Sequence, residues 1–117
     1  MNPVSFPAPD QKPLIDHRIY TIKPRKMGQF LEVFDRLAMP VLRQTLGDPI
    51  GFYLSQVGPL NQVVHLWAYE NLADYEQRSQ ARDNHPDFAI YLRESDGLIV
   101  AQENRLIRHH ALPSLQK

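Results

Sequence analysis

The sequence of 117 residues contains no cysteine. This absence excludes disulfide-stapled folds, zinc sites built on thiolates, and thiol nucleophiles. A strong charge of either sign is missing too, because 13 Lys and Arg residues balance 13 Asp and Glu residues. Domains that bind nucleic acid usually present a basic face. We therefore expect neither disulfides nor a nucleic-acid partner.

Long apolar runs are also missing from the sequence. No stretch approaches the roughly 20 apolar residues that a membrane-spanning helix needs, and the first 13 residues lack the basic start and apolar core of a secretory signal. We therefore predict no membrane span and infer a cytoplasmic location by elimination. The HExxH, GxGxxG and P-loop motifs are absent as well, so no metal and no cofactor are predicted.

Proline is abundant, with ten residues, four of which lie within the first 13 positions. Proline-rich segments favour extended, solvated backbone. We expect residues 1–13 to form a proline-rich tail, residues 14–110 to form a single domain, and residues 111–117 to form a short C-terminal tail. A single domain is also what this length predicts.

Hydrophobic periodicity predicts strands and helices in alternation. The predicted strands cover residues 14–22, 50–57, 62–69 and 98–107, and the predicted helices cover residues 27–46, 71–82 and 86–95. Pro40 interrupts the first helical stripe, so a kink or short break is expected near Leu37. Gly47 fits a helix C-cap, and the segment 58–61 (GPLN) fits the turn of a β-hairpin.

This order of elements is that of an α+β, ferredoxin-like β-α-β-β-α-β fold with a four-stranded antiparallel sheet. Helices cover only one face of such a sheet. The other face must therefore meet a partner subunit, a ligand, or both.

A four-residue turn would pair Phe52 with Trp67 and Leu54 with His65. Strand alternation then gives a mixed aromatic and polar face and a plain apolar face. We expect the plain face, with Ile15, His17 and Ile19, to lie under the helices. The bare face would then be the aromatic-polar one: Arg18, Tyr20, Phe52, Leu54, Gln56, Val63, His65, Trp67 and Tyr69. A loop with an odd number of residues would instead place Tyr53, Ser55 and Val57 beside His65 and Trp67.

Several residues of the aromatic-polar face suit chemistry. His65 is a candidate acid or base because histidine titrates near neutral pH, and Arg18 is a candidate clamp for a carboxylate. Each also has a structural interpretation: His65 can simply be hydrogen-bonded within an aromatic interface, and Arg18 can pair with Glu103 of the last strand. In the same way, Trp67 can be packing and Asn61 can serve the turn.

The hairpin, with GPLN at 58–61 and HLW at 65–67, resembles the NIPSNAP family. The first strand (RIYTIKP, 18–24) and the last strand (QENR, 102–105) resemble it too, and the likeness covers about residues 14–108. His17 departs from the pattern, since family members tend to be aliphatic there. The resemblance implies a dimeric α/β barrel in which two ferredoxin-like sheets pack face to face. It carries over Arg18, Tyr20, Asn61, His65 and Trp67 as site residues.

Three functions remain open at this point. The first is a homodimer that binds a small organic molecule in the barrel cavity, with Arg18, Tyr20, Phe52, Asn61, His65 and Trp67 as its ligand-binding residues. The second is a cofactor-independent monooxygenase of the kind found in related barrel proteins, in which His65 or Tyr20 would be catalytic and help to deprotonate an electron-rich ring. The third is a structural or interaction module that binds no ligand.

Overall fold

The computed structural model describes residues 12–115. Residues 1–11 and 116–117 lie outside the described part, so it does not cover most of the predicted proline-rich tail or the end of the C-terminal tail. The elements are β1 (Leu14–Ile22), α1 (Met27–Val33), a π-helical turn (Phe34–Ala38), α2 (Met39–Thr45), β2 (Gly51–Leu54), β3 (Gln62–Tyr69), α3 (Leu72–Asp83), α4 (Phe88–Glu94), β4 (Ile99–Arg108) and a 3₁₀ turn (Pro113–Leu115).

The four strands form one sheet in the order β2-β3-β1-β4, and every neighbouring pair is antiparallel. This order and the helices between the strands confirm the predicted ferredoxin-like α+β fold. Within residues 12–115, no helix has the length and apolar character needed to cross a membrane.

The expected break in the first long helix is a π-helical turn. Met39 donates its backbone N–H to the carbonyl of Phe34, five residues earlier. Pro40 has no N–H to continue the α-helical pattern, which explains why the hydrogen bonding changes here. The helix then resumes as α2 and ends where predicted, because Gly47 has a φ of 90° and donates its N–H to the carbonyl of Leu42.

The predicted register of the hairpin is wrong by two residues. Phe52 lies opposite His65, and Leu54 lies opposite Val63. The cause is a loop longer than the four-residue turn, since β2 already ends at Leu54. Because the shift is an even number, alternation still places Phe52, His65 and Trp67 on one face.

The helices cover the opposite face of the sheet from the one we predicted. The plain face is only half-buried, whereas the aromatic-polar face forms the core with Phe30 and Phe34. Large aromatic rings supply the area that helices bury, and their polar tips are tolerated when they are hydrogen-bonded. The buried residues of β1 and β3 are Leu14, Asp16, Tyr20, Ile22, Val63, His65, Trp67 and Tyr69.

The α3 helix packs less tightly than its sequence suggests. Asn71, a residue type typical of helix N-caps, caps it and accepts a hydrogen bond from the backbone N–H of Asp74 at 2.8 Å. The helical spacing of Leu72, Tyr75 and Ala81 predicts that all three face the core, but Leu72 and Ala81 are exposed. Tyr75 does contact the sheet, and its ring meets that of Tyr69 edge-on at 5.1 Å.

Candidate functional site

A cavity of about 220 Å³ lies between the sheet and the helices. Its apolar wall comes mainly from the helical layer and includes Phe34, Leu42, Leu46 and Phe88. Among the described residues that line it, none is an aspartate or a glutamate. The side chains with polar groups are Arg18, Tyr20, His65, Trp67, Arg82, Tyr91, Ser95 and Gln102.

One side of the cavity is built on a polar network that starts on β1. Alternation places Asp16, Arg18 and Tyr20 on the covered face. The Arg18 guanidinium donates from Nη1 to Asp16 Oδ2 at 2.9 Å and from Nε to Tyr20 Oη at 3.2 Å. Asn104 on β4 donates to Asp16 Oδ1 at 3.0 Å. Each oxygen of the buried Asp16 carboxylate therefore has a donor, as burial of a charge requires.

Arg18 keeps its charge in this setting. Burial alone would lower the pKa of Arg18, but the nearby Tyr20 and the Asp16 carboxylate raise the pKa above its ordinary value. The alternative pairing of Arg18 with Glu103 is wrong. Glu103 lies opposite Ile19 on β1, and alternation turns it to the other face of the sheet.

His65 occupies the centre of the aromatic cluster and is 2% exposed. Its Nδ1 accepts a hydrogen bond from Trp67 Nε1–H at 2.7 Å. Its Nε2 has no hydrogen-bond partner among residues 12–115. The imidazole meets the ring of Tyr20 edge-on at a centroid distance of 4.6 Å, with Phe52 at 5.4 Å and Phe34 at 5.7 Å.

This environment keeps His65 neutral. Burial is the main cause, and the neighbouring Arg18 and His17 add to it, so the pKa of His65 falls from 6.5 to about 3. An imidazole of this kind does not exchange protons near neutral pH by ordinary titration. Tyr91, also in the cavity wall, is held protonated because burial and the neighbouring Tyr20 raise its pKa.

The structure brings together four of the six residues that we predicted as ligand-binding: Arg18, Tyr20, His65 and Trp67 all line the cavity. Phe52 stacks behind His65 and borders a separate surface groove. Asn61 lies in the hairpin loop with a φ of 62°, and its carbonyl accepts the N–H of Ile22 at 2.7 Å. It therefore serves the turn and lies outside the cavity wall.

Sequence reasoning missed Asp16 and four polar residues of the cavity lining: Arg82, Tyr91, Ser95 and Gln102. Asp16 had a signal, because it alternates with Arg18 and Tyr20 on one strand face. Arg82 and Tyr91 come from α3 and α4, and they had none beyond helical periodicity. Among residues 12–115, no three His, Asp or Glu side chains cluster closely enough to hold a metal ion.

Comparison with protein families gives one clear match. The sequence model of the NIPSNAP family matches residues 15–112. A NipSnap homolog from Dictyostelium discoideum is 38% identical over 66 residues, which is 56% of this chain and 27% of that protein. The human NipSnap homolog 3A is 37% identical over 59 residues, 50% of this chain and 23% of that protein. The matching segment thus spans about a quarter of these relatives.

Solved structures give the same picture over more of the chain. A NIPSNAP-like domain protein from Burkholderia xenovorans, described as uncharacterized, is 33% identical, with a TM-score of 0.79 over 84% of this chain and 85% of that one. A NIPSNAP family protein of unknown function from Agrobacterium tumefaciens is 26% identical, with a TM-score of 0.79 over 84% and 88%. A Nitrosomonas europaea protein proposed to be an antibiotic biosynthesis monooxygenase shares the fold at 12% identity and a TM-score of 0.60, over 82% and 97%.

The buried ion pair gives a first prediction. Arg18→Gln leaves the buried Asp16 carboxylate without its counter-charge, so we expect the free energy of unfolding to fall by about 3 kcal/mol. The double variant Asp16→Asn/Arg18→Gln should recover much of this loss, because no buried charge remains. Urea denaturation measures both. Arg36→Gln, which breaks the exposed pair with Glu32, is the control and should change stability little. Strictly additive effects of the two single substitutions would contradict the coupling.

The neutral His65 gives a second prediction, on pH dependence. The unfolded chain takes up a proton at this histidine below pH 6.5, but the native state does so only below about pH 3. Its contribution to stability is therefore complete above pH 6.5 and is lost as the pH falls toward 3. Between about pH 7.5 and about pH 5, the wild type should lose roughly 2 kcal/mol more than His65→Gln in urea denaturation. Parallel pH profiles would show that His65 is not held neutral.

Proposed function

This chain belongs to the NIPSNAP family, and from the composition of its cavity we propose that it binds a small organic anion between its sheet and its helices. The family name brings no activity with it, because the Agrobacterium tumefaciens relative is described as having unknown function. The proposal therefore rests on the chemistry of the cavity. It moves the ligand from the barrel interior, where the sequence placed it, to the helix side of the sheet.

Size and lining favour a small, partly apolar ligand. About 220 Å³ is below the roughly 300–1,000 Å³ of pockets that hold drug-sized molecules. A single ring or a short carbon chain is the matching class. Phe34, Leu42 and Phe88 supply an apolar wall against which such a skeleton can pack.

The observation that carries the proposal is the imbalance of charge in the lining. Arg18 and Arg82 contribute two cations, and the described lining residues include no carboxylate. The counter-charge of Arg82 is Asp83, at 2.9 Å, whose side chain is largely exposed and lies outside the lining. Asp16 uses both of its oxygens on Arg18 and Asn104. The N–H groups of the two arginines are therefore the donors that an anion would meet, and no carboxylate of the described lining repels it.

Binding of benzoate against its neutral analogue benzamide tests this proposal. Calorimetric titration of the full chain should show tighter binding of benzoate. Arg82→Gln should weaken benzoate by about fivefold, the effect of roughly 1 kcal/mol from a partly exposed charge. Benzamide should bind the wild type and this variant equally, because it carries no charge.

Arg78→Gln is the matched control for this experiment. Arg78 lies on the same helix and also pairs with an aspartate, Asp74, at 2.8 Å, but it does not line the cavity. We expect it to leave benzoate binding unchanged. Equal losses in the Arg82 and Arg78 variants, or equal affinity for benzoate and benzamide, would contradict anion binding in the cavity. Native mass spectrometry of the purified protein would look for a ligand carried through purification.

A cofactor-independent monooxygenase is the second candidate function. The shared fold with the Nitrosomonas europaea protein supports it, and an apolar cavity can keep water away from a reactive intermediate. Oxygen uptake in solutions of the protein with hydroxylated aromatic compounds is the direct test. If no oxygen is consumed, the monooxygenase function is wrong and only the binding function remains. The third candidate, a module without a ligand, requires that no compound binds the cavity.

We further propose that two copies associate through the sheet face that the helices leave bare. That face carries the half-buried apolar side chains Ile15, Ile19, Val64 and Leu66 beside the polar His17, Glu103 and Arg105. Sedimentation equilibrium should give twice the mass of the chain. Ile19→Lys should shift the mass toward the monomer, because it places a charge in the interface, while Val57→Lys in the exposed hairpin loop should not. A wild type that stays monomeric would contradict this assembly.

The cytoplasmic location stays a prediction from the sequence.

A further inference from the structure

The indole of Trp67 determines which nitrogen of His65 carries the proton. Indole Nε1–H can only donate, so the His65 Nδ1 atom 2.7 Å away must accept. A neutral imidazole that accepts at Nδ1 carries its single proton on Nε2. His65 is therefore held in one tautomer by a neighbour two residues along the same strand.

Among residues 12–115, the Nε2–H of His65 is then a donor without an acceptor. Nε2 is buried and has no partner among residues 12–115, and His65 is part of the cavity wall. Buried donors in native proteins are nearly always paired, since an unpaired one costs free energy. An acceptor atom of a ligand in the cavity is the partner that this arrangement lacks.

A second donor lies beside it. The ring of Tyr20 meets that of His65 edge-on at 4.6 Å. The Tyr20 hydroxyl oxygen accepts from Arg18 Nε at 3.2 Å, so its own proton is available to donate to something else. Arg18 thus does for Tyr20 what Trp67 does for His65: each neighbour orients a group so that the hydrogen atom is available to a ligand.

From this geometry we infer that His65 and Tyr20 form an oxyanion-binding site, and that the ligand is an ionised hydroxyl on an aromatic or enolic carbon. The inference rests on the proposed function and names the chemical class of the anion. It also revises the acid-base role that the sequence suggested for His65. Nδ1 is occupied by Trp67 and Nε2 already holds a proton, so neither nitrogen is free to take a proton from a substrate. His65 would stabilise negative charge rather than create it.

The tautomer can be observed without any ligand. Long-range ¹H–¹⁵N correlation spectra of the uniformly ¹⁵N-labelled chain should show His65 protonated at Nε2 only, at neutral pH, with its signals assigned by their loss in His65→Gln. The exposed His109 and His110 serve as internal references. Trp67→Phe removes the donor and should shift His65 toward a mixture of tautomers. Protonation at Nδ1, or no change in the Trp67 variant, would overturn the inference.

Binding of 4-nitrophenol tests the ligand class, because its ionised form absorbs in the visible and the neutral phenol does not. The protein should increase this absorbance at a pH where the phenol is half ionised, and 4-nitroanisole, which cannot ionise, should bind weakly. His65→Gln keeps both an acceptor for Trp67 and a donor for the ligand and should retain binding. His65→Leu keeps neither and should lose about 10-fold or more in affinity for the phenolate.

The outcomes separate this inference from the proposed function. If benzoate and 4-nitrophenolate both fail to bind, the binding function is wrong and the oxyanion site falls with it. If benzoate binds, but His65→Leu holds 4-nitrophenolate as tightly as wild type, only the oxyanion site is wrong. Circular dichroism checks that each variant is folded. Should His65→Leu not fold, Tyr20→Phe, which removes only a hydroxyl, must show a similar loss in affinity or the inference is overturned.

Discussion

The ion pair between Asp16 and Arg18 is the interaction on which the helix-covered side of the sheet depends. It places a carboxylate that is 1% exposed beside a guanidinium at 2.9 Å, and without it β1 could not turn this face toward the helices at an acceptable cost. The same guanidinium orients the hydroxyl of Tyr20 and adds to the positive potential that keeps His65 neutral. The ion pair that allows the polar face to be buried thus also holds Tyr20 and His65 in the states in which they can donate to a negatively charged atom.

Alternation along the strands was enough to predict which residues share a face, but not which face the helices cover. Period-two patterning groups Tyr20 with Arg18 whatever lies above them. The plain face, with Ile15 and Ile19, looked like the core because it has few polar groups. The helices instead pack on the face with the larger rings, against which Phe30 and Phe34 bury more apolar area. Alternation could not reveal the two-residue error in the hairpin register, because a shift by an even number of residues leaves every side chain on the same face of the sheet.

The part of the site on adjacent strands was predictable, and the part on helices was not. Antiparallel pairing of β1 with β3 sets Arg18 directly opposite His65. The predicted fold already makes these two strands neighbours, so it brings together two candidates that are far apart in the sequence. Arg82 and Tyr91 reach the cavity only through the way α3 and α4 pack, which no spacing reveals. Asn61 was predicted as a site residue only because of the family resemblance. Its positive φ is a backbone conformation that asparagine tolerates better than most residues, so its role is in the turn.

Stability and ligand binding are therefore two consequences of the same arrangement. Among residues 12–115, the Nε2–H of His65 has no acceptor, and an unpaired buried donor costs the fold free energy. An ionised oxygen would recover that free energy by accepting the hydrogen bond, and a ligand that binds only the native state adds to its stability by mass action. The unpaired donor that suits the site to an anion is thus also a cost to the stability of the fold.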